Sequence, residues 1–311
     1  MRETQTRCGF VATLGRPNAG KSTLLNALLG QKLSLTSHKA NATRKQLNLI
    51  VPHSGADERG AYDAQIVFVD TPGIHHQEKL LNKYMLHQSL RAMSDCDMGM
   101  YLAPASDEIR HYEEFLNLSR DKAVHKRHIL LLSKTDTLDN ATLMRKIAQY
   151  QPYQSHYLAL LPVSVRRGFA PSEVLDVVAR FLPDSAFLFD EECVTTAQTR
   201  EIVKELIRES LFMNLSDEIP YESDVLIQRY EEGEIERIYA TIILEKQSQK
   251  GVVIGAGAQT IKRIGILARK NIESLLGKRV FLKLEVSVQK GWSKEEKKLK
   301  KIGYDCADMP R

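Results

Sequence analysis

Residues 15–22, Gly-Arg-Pro-Asn-Ala-Gly-Lys-Ser, set two glycines and a Lys-Ser pair at the spacing Gly, four residues, Gly-Lys-Ser. Few short motifs restrict a fold so strongly, because this one works only as a turn between a buried strand and the start of a helix. Both flanks comply. Cys8 to Leu14 is an apolar run that reads as a first strand, and Ser22 to Leu29 has the apolar spacing of a helix that begins where the turn ends. The glycines let backbone N–H groups point inward around an anion, and the helix N-terminus adds partial positive charge. Lys21 can then reach the β- and γ-phosphates of a nucleotide, and the Ser22 hydroxyl can ligate Mg²⁺. A glycine-rich turn with a chance lysine is the plainer reading. The strand, the helix and the motifs downstream weigh against it.

Residues 30–46 are polar and lack a helical stripe, so they read as a loop carrying Thr43. A threonine at this distance from a phosphate-binding turn can complete a Mg²⁺ shell and order its loop only against a triphosphate. Gln46 to Val51 and Gln65 to Val69 read as strands joined by a polar turn containing Gly55 and Gly60. The second of them runs into Asp70-Thr71-Pro72-Gly73. A carboxylate at the C-terminal end of an apolar strand is the expected second Mg²⁺ anchor, and Gly73 offers a backbone N–H to a γ-phosphate.

A switch segment followed by a helix is expected over 74–94. A strand is expected over Asp97 to Pro104, a helix over Glu108 to Leu118, and a short buried strand over His128 to Leu132. That strand ends at Ser133-Lys134-Thr135-Asp136. A carboxylate there can accept two hydrogen bonds from the N1 and N2 groups of guanine, which adenine does not offer, while the Lys134 stem covers the base. Standing alone, these four residues would be a surface turn. Tyr157 to Val163 gives a last strand leading into Ser164-Val165-Arg166, and Glu173 to Phe181 a closing helix. Alternating strands and helices imply an α/β fold, a mostly parallel sheet with helices on both faces and ligand loops at the strand C-termini.

Leu182-Pro183-Asp184 closes a first domain over 1–183, and 184–196 reads as an irregular acidic connector to a second domain over 197–311. Charge is segregated along this second half. Residues 184–245 hold five Lys/Arg against sixteen Asp/Glu, and 246–301 hold fifteen against four. Clustered basic residues are the electrostatic footprint of a polyanion site, with two solvated and partly compensating faces as the rival reading. A helical stripe over Thr199 to Leu215 precedes two alternating runs, Glu222 to Tyr230 and Ile235 to Leu244, around a turn at Gly233. Val252 to Lys262 then leads through Gly255-Ala256-Gly257-Ala258 into a further helix, Arg279 to Val288 gives a final strand, and Lys294 to Lys301 reads as a solvated helix.

Cys8, Cys96, Cys193 and Cys306 are far apart, which argues against a zinc site or a disulfide framework and suits a reducing cytosol. No apolar stretch approaches the ~20 residues needed to span a bilayer, and a strand starting near residue 8 leaves no room for a signal peptide. With 43% hydrophobic residues the composition is that of a soluble globular chain.

The ordered set GRPNAGKS, Thr43, DTPG, SKTD and Ser164 resembles the five nucleotide motifs of translation-factor-class GTPases. The flanks LLNALLGQKLSLTSHKANATRKQ and VDTPGIH are similar to the Era family. The resemblance covers nearly the whole chain. It implies a P-loop GTPase domain followed by a smaller α+β domain, a type II KH module, including the Gly291-Trp292 and Gly303-Tyr304 pattern. GTP or GDP would be held by Gly15, Asn18, Ala19, Gly20, Lys21, Ser22 and Thr23 on the phosphate side, with Asp70. Ser133, Lys134, Asp136, Ser164 and Val165 would lie on the guanine side. Mg²⁺ would be held by Ser22, Thr43 and Asp70, and hydrolysis would depend on Lys21, Thr43 and Gly73. The implied partners are the 3′ end of 16S rRNA and the 30S subunit in ribosome assembly. A monomer is expected, binding RNA rather than DNA, cytoplasmic, with peripheral association at the cytoplasmic side of the inner membrane as a further expectation.

In a KH module a Gly-x-x-Gly turn lets about four nucleotides of backbone approach closely. Here the turn is Gly255, Ala256, Gly257, Ala258, so its second glycine is alanine and no lysine lies inside it. Lys250, Lys262, Arg263, Arg269 and Lys290 would then supply the charge. Trp292 reads as a core or docking aromatic rather than a base-stacking platform. Other departures are Ser133 for the family's asparagine, Ala42 for the threonine before Thr43, and Val165 for alanine. Ile74 follows DTPG, where Ras-like enzymes have a water-orienting glutamine, which implies slow intrinsic hydrolysis. Two rivals stay open: an RNA-binding scaffold that holds nucleotide with little turnover, and a P-loop small-molecule phosphotransferase.

Overall fold

The structure is a computed structural model that describes residues 5–31, 33, 43–74, 80–121, 127–216 and 218–306. It forms two compact units, one built chiefly on the chain up to residue 196 and the other on 197–311. In the first unit the chain runs β1 (Gln5–Gly15), α1 (Lys21–Leu29), β2 (Leu47–Asp57), β3 (Gly60–Asp70), α2 (Leu80–Asp95), β4 (Met98–Pro104), α3 (Arg110–Asp121), β5 (His128–Ser133), α4 (Asn140–Tyr150), β6 (Tyr157–Pro162) and α5 (Pro171–Arg180). The sheet order is β2-β3-β1-β4-β5-β6, with β2 antiparallel to β3 and every other neighbour pair parallel. Every residue of β4 and β5 is buried, as expected of parallel strands covered on both faces. Because β3 and β4 flank β1, the connections leave β1 in opposite directions and open a crevice at its C-terminal end. Gly15, Asp70, Ser133 and Pro162 all end strands on that side.

Three local features differ from the sequence reading. The polar segment between the two early strands belongs to the strands themselves: Pro52–Asp57 and Gly60–Ala64 continue the hairpin, and Gly55 pairs with Tyr62 inside it. This end of the hairpin is polar because β2 is an edge strand. Helix α4 has no counterpart in the expectations, since Leu143, Ile147 and Tyr150 alone carry it into the core. Its start is marked by Asp139, whose carboxylate accepts the Thr142 N–H at 2.8 Å. The acidic connector is irregular but bonded along the sheet. Thr195 bridges Leu49, the Ile50 N–H donates to the Val194 carbonyl at 3.0 Å, and Gln65 Nε2 donates to the Phe189 carbonyl at 2.7 Å. It thereby covers the outer edge that β2 would otherwise expose.

The second unit runs α6 (Thr199–Asn214), β7 (Ser223–Glu231), β8 (Ile235–Leu244), α7 (Gln247–Ile254), α8 (Gln259–Leu276), β9 (Arg279–Val288) and α9 (Glu296–Lys301). Its sheet order is β7-β8-β9, with β7 antiparallel and β9 parallel to β8. One face of this sheet supplies Val225, Ile238, Ile242 and Val280 to a core shared with Val203, Ile207, Ile264 and Ile272 of α6 and α8. The expected strand bounds Ile235–Leu244 and Arg279–Val288 match β8 and β9. Trp292 is fully buried and its Nε1 donates to the Glu222 carbonyl at 3.2 Å, so it is a core aromatic.

Candidate nucleotide site and nucleic-acid interface

The turn between β1 and α1 is built to hold backbone groups inward, with Gly20 as N-cap at φ 99° and Asn18 at φ 63°. Lys21 is buried, and its ammonium donates to the carbonyls of Gly15 at 3.1 Å and Arg16 at 3.2 Å. Burial pulls that ammonium from its ordinary 10.5 down to about 8, against the opposing pull of the Asp70 carboxylate. Ser22, in the first turn of α1, donates its hydroxyl to Asp70 Oδ2 at 2.8 Å and lies 3.1 Å from the Thr43 hydroxyl. Three hard oxygen donors from separate segments thus meet at one point, a set that fits Mg²⁺. The rest of the loop before Thr43, including Ala42 and its neighbours over 34–42, lies outside the described residues.

Gly73 passes directly over the phosphate turn. A Cβ at this position would lie 2.6 Å from Pro17 N and 2.8 Å from Pro17 Cα, so only glycine allows the approach. The next N–H, of Ile74, donates to the Gly15 carbonyl at 3.0 Å, and its side chain is buried in the core. Ile74 therefore cannot position water, and the backbone around it is committed to holding the two loops together.

On the other side of the crevice, Ser164 donates its hydroxyl to Asp136 Oδ1 at 2.7 Å and accepts the N–H groups of Arg166 and Arg167 at 3.3 Å. The Ser164 hydrogen bond holds the Asp136 carboxyl below the usual carboxylate range, which keeps it a hydrogen-bond acceptor only. Lys134, at φ 59°, reaches back so that its Nζ donates to the Asn18 carbonyl at 2.7 Å. Ser133 is buried and donates to the Ala19 carbonyl at 2.8 Å. The base-reading turn is therefore tied to the phosphate turn by two side chains. Neither tie was foreseen, although the residues at both ends were. Thr23 is exposed in α1 and Val165 half-buried after β6.

In the second unit, α7 ends at Gly255 and the single turn Ala256–Ala258 leads into α8. Gly257 and Ala258 line a hollow of about 360 Å³ with Lys262 and Arg269 of α8 and Leu282 and Leu284 of β9. Lys262 and Arg269 are exposed and make no ion pair among the described residues, so their charge is available to an anion in that hollow. Of the other expected RNA residues, Gly255 and Ala256 lie in the adjoining turn. Arg263 sits on α8 outside the lining, as do Lys250 on α7 and Lys290 beyond β9.

Residues 10–134 match the model of the 50S ribosome-binding GTPase family, and 207–293 match that of the KH domain. GTPase Era of Helicobacter pylori strain G27 is 51% identical over 96% of this chain and 97% of its own. GTPase Era of Campylobacter concisus is 45% identical over 96% of this chain and 100% of its own. The chain belongs to the Era family of GTPases. Among solved structures, a point variant of Aquifex aeolicus Era bound to GDP·AlF₄⁻ superposes with a TM-score of 0.88 at 29% identity, covering 96% of this chain and 99% of that one. An Era complex with MgGDPNP and nucleotides 1506–1542 of 16S ribosomal RNA also gives 0.88, at 28% identity and the same coverage. Of the two departures from the family motifs, Ser133 donates to the phosphate turn, and Ala258 is held in the left-handed conformation, at φ 62°.

Proposed function

We propose that this chain binds and hydrolyses GTP and uses its KH unit to bind the 3′ end of 16S rRNA during assembly of the 30S subunit. The observation that carries the nucleotide half is the convergence at one end of the first sheet. Lys21, Ser22, Thr43 and Asp70 gather on the phosphate side and Asp136 with Ser164 on the guanine side, with Ser133 and Lys134 joining the two. Asp136 selects guanine over adenine, because only guanine offers paired N1 and N2 donors. Lys21 and the backbone of the turn orient the phosphates. Gly73 presents its backbone beside them because it lies against Pro17. Ser22, Thr43 and Asp70 would hold Mg²⁺, which would supply positive charge against the negative charge on the phosphate oxygens. Ile74, at the position after DTPG, cannot orient water as a glutamine would, so turnover by the free protein is slow.

The RNA half rests on the 16S rRNA bound in the Era complex and on the hollow flanked by Lys262 and Arg269. Among the described residues no helix is long and apolar enough to cross a membrane. The deciding experiment measures binding of labelled RNA ending in the 16S 3′ sequence with GDP, with a non-hydrolysable GTP analogue and with the matching ATP analogue. Tighter binding with the GTP analogue alone supports the proposal. Equal weak binding in all three states overturns the coupling of nucleotide to RNA. The buried Ile74 also favours a second reading, a scaffold that holds nucleotide without turnover. Single-turnover phosphate release in the presence of 30S subunits separates the two.

A further inference from the structure

The sheet of the second unit has one face under α6 and α8; on the other face Thr241 and Ile243 at the end of β8 are buried, while the part around Arg237, Phe281 and Lys283 is exposed. Along β8 and β9 the core takes Ile238, Ala240 and Ile242, then Val280, Leu282 and Leu284. The strand pleat sends the residues between them to the other side. In register these are Arg237 beside Phe281 and Tyr239 beside Lys283, with Arg229 of β7 opposite Tyr239. Phe281, on the edge strand β9, is 45% exposed, and Tyr239 beside it is half-buried. Its ring centroid lies 5.8 Å from that of Tyr239, and the Arg229 guanidinium stands 5.9 Å from the Tyr239 ring.

We propose that this outer sheet face is a second contact for single-stranded RNA, in which Tyr239 and Phe281 stack unpaired bases and Arg229, Arg237 and Lys283 meet the phosphates. Exposed rings interleaved with cations are the combination by which proteins hold unpaired strands, because every base has a π-face and every linkage a charge. Two carboxylates share the face, and each is already engaged: Glu231 pairs with Arg229, and Glu285 with Lys283 at 2.9 Å. Arg237 has no such partner among the described residues, so the face carries unbalanced positive charge. That balance favours a polyanion over an apolar protein surface.

Continuity with the hollow gives the occupant its route. β9 is the end strand of its sheet. Its inward residues Leu282 and Leu284 line the hollow beside Lys262, while its outward residues Phe281 and Lys283 belong to the second face. RNA leaving the hollow over this edge arrives at Phe281. The inference builds on the proposed RNA binding at the hollow, and its test keeps the two apart.

The full chain, loaded with a non-hydrolysable GTP analogue, is titrated with a four-nucleotide RNA, the length a KH turn clamps, and with an unpaired RNA of about twelve nucleotides carrying 4-thiouridine. The expected result for the Tyr239→Ala, Phe281→Ala double variant is a loss of about tenfold or more in affinity for the longer RNA and none for the shorter, tenfold being the size of one lost base stack. Lys262→Glu should weaken both. Photo-crosslinking of the unaltered protein should label Tyr239 or Phe281 itself, mapped to the residue because Leu282 next to Phe281 lines the hollow, which keeps the test sound if the double variant fails to fold. Labelling of either ring that survives in Lys262→Glu upholds the outer face even if the hollow proves inactive. Crosslinks confined to the hollow overturn the inference. So does a folded double variant that binds the longer RNA as tightly as the parent, and one that keeps RNA affinity while losing 30S association would show that the face takes a protein.

Discussion

The Ser133 hydroxyl donates to the Ala19 carbonyl at 2.8 Å and so joins the end of β5 to the phosphate turn. Both residues are buried, so deleting the hydroxyl strands an acceptor away from water. An unmet buried acceptor costs about 1–3 kcal/mol. We expect Ser133→Ala to raise the dissociation constant for GDP by roughly five- to a hundredfold while the rest of the sheet stays folded. Titration with a fluorescent GDP analogue measures it. An unchanged constant would mean that Lys134 and its bond to Asn18 brace the turn unaided.

Guanine affinity should depend on pH through Asp136. Protonating this carboxylate removes an acceptor, so binding is present above its pKa and lost as pH falls through it. The Ser164 hydrogen bond lowers that pKa from its ordinary 3.8. In Ser164→Ala the loss of GDP binding should therefore begin at a higher pH than in the parent. Dissociation constants measured from near neutrality down to the acid limit of folding should show the displacement, and superimposable profiles would contradict it.

The residues whose chemistry requires a contiguous motif were legible before the structure. Lys21, Ser22, Asp70 and Asp136 could be placed because each follows an apolar run long enough to be read as a strand. β8 and β9 came out residue for residue because their inward and outward residues alternate. Helix α4 was not visible, since its apolar positions are sparse and the Asp139 cap was the available signal. The bonding of 184–196 to β2 and Gln65 was equally hidden, because an edge pairing through backbone groups leaves no side-chain period. The tie from Ser133 to Ala19 spans 114 residues and joins a side chain to a backbone carbonyl, a contact that no local pattern encodes.

The two ends of the turn before α8 should respond oppositely to a methyl group. Gly255 has φ 75° and ψ 167°, and a Cβ there would sit 2.4 Å from the Thr260 hydroxyl and 2.9 Å from Thr260 N. Gly255→Ala must therefore shift the start of α8, at a cost of about 1–3 kcal/mol. Ala258 already carries a methyl at φ 62°. Replacing it by glycine relieves about 1 kcal/mol of left-handed strain but adds about as much unfolded-chain entropy. Urea midpoints should thus fall for Gly255→Ala and stay nearly level for Ala258→Gly, and short-RNA affinity should fall in the first alone.

A buried ionic group decides how the end of the chain is held in the second unit. Asp224 is fully buried on β7, with Lys204 Nζ at 3.4 Å and Arg208 Nε at 3.6 Å from Oδ1, and the Tyr304 hydroxyl donates to Oδ2. Lys204 also donates to the Ile302 carbonyl at 3.1 Å and lies 4.9 Å from the Tyr304 ring centroid. Removing the carboxylate's charge takes a counter-ion from the buried Lys204 and Arg208, although Arg208 keeps its pair with Glu205 at 2.7 Å, so Asp224→Asn should cost about 3 kcal/mol. Tyr304→Phe removes one hydrogen bond to a charged group and should cost about 1.5–3 kcal/mol. The double variant should lose less than the sum, because both residues belong to one network. The chain's one tryptophan, Trp292, is buried in this same unit, so its fluorescence during urea unfolding reports these losses directly. Strict additivity would mean that Tyr304 holds the tail by packing against Lys204, independently of Asp224.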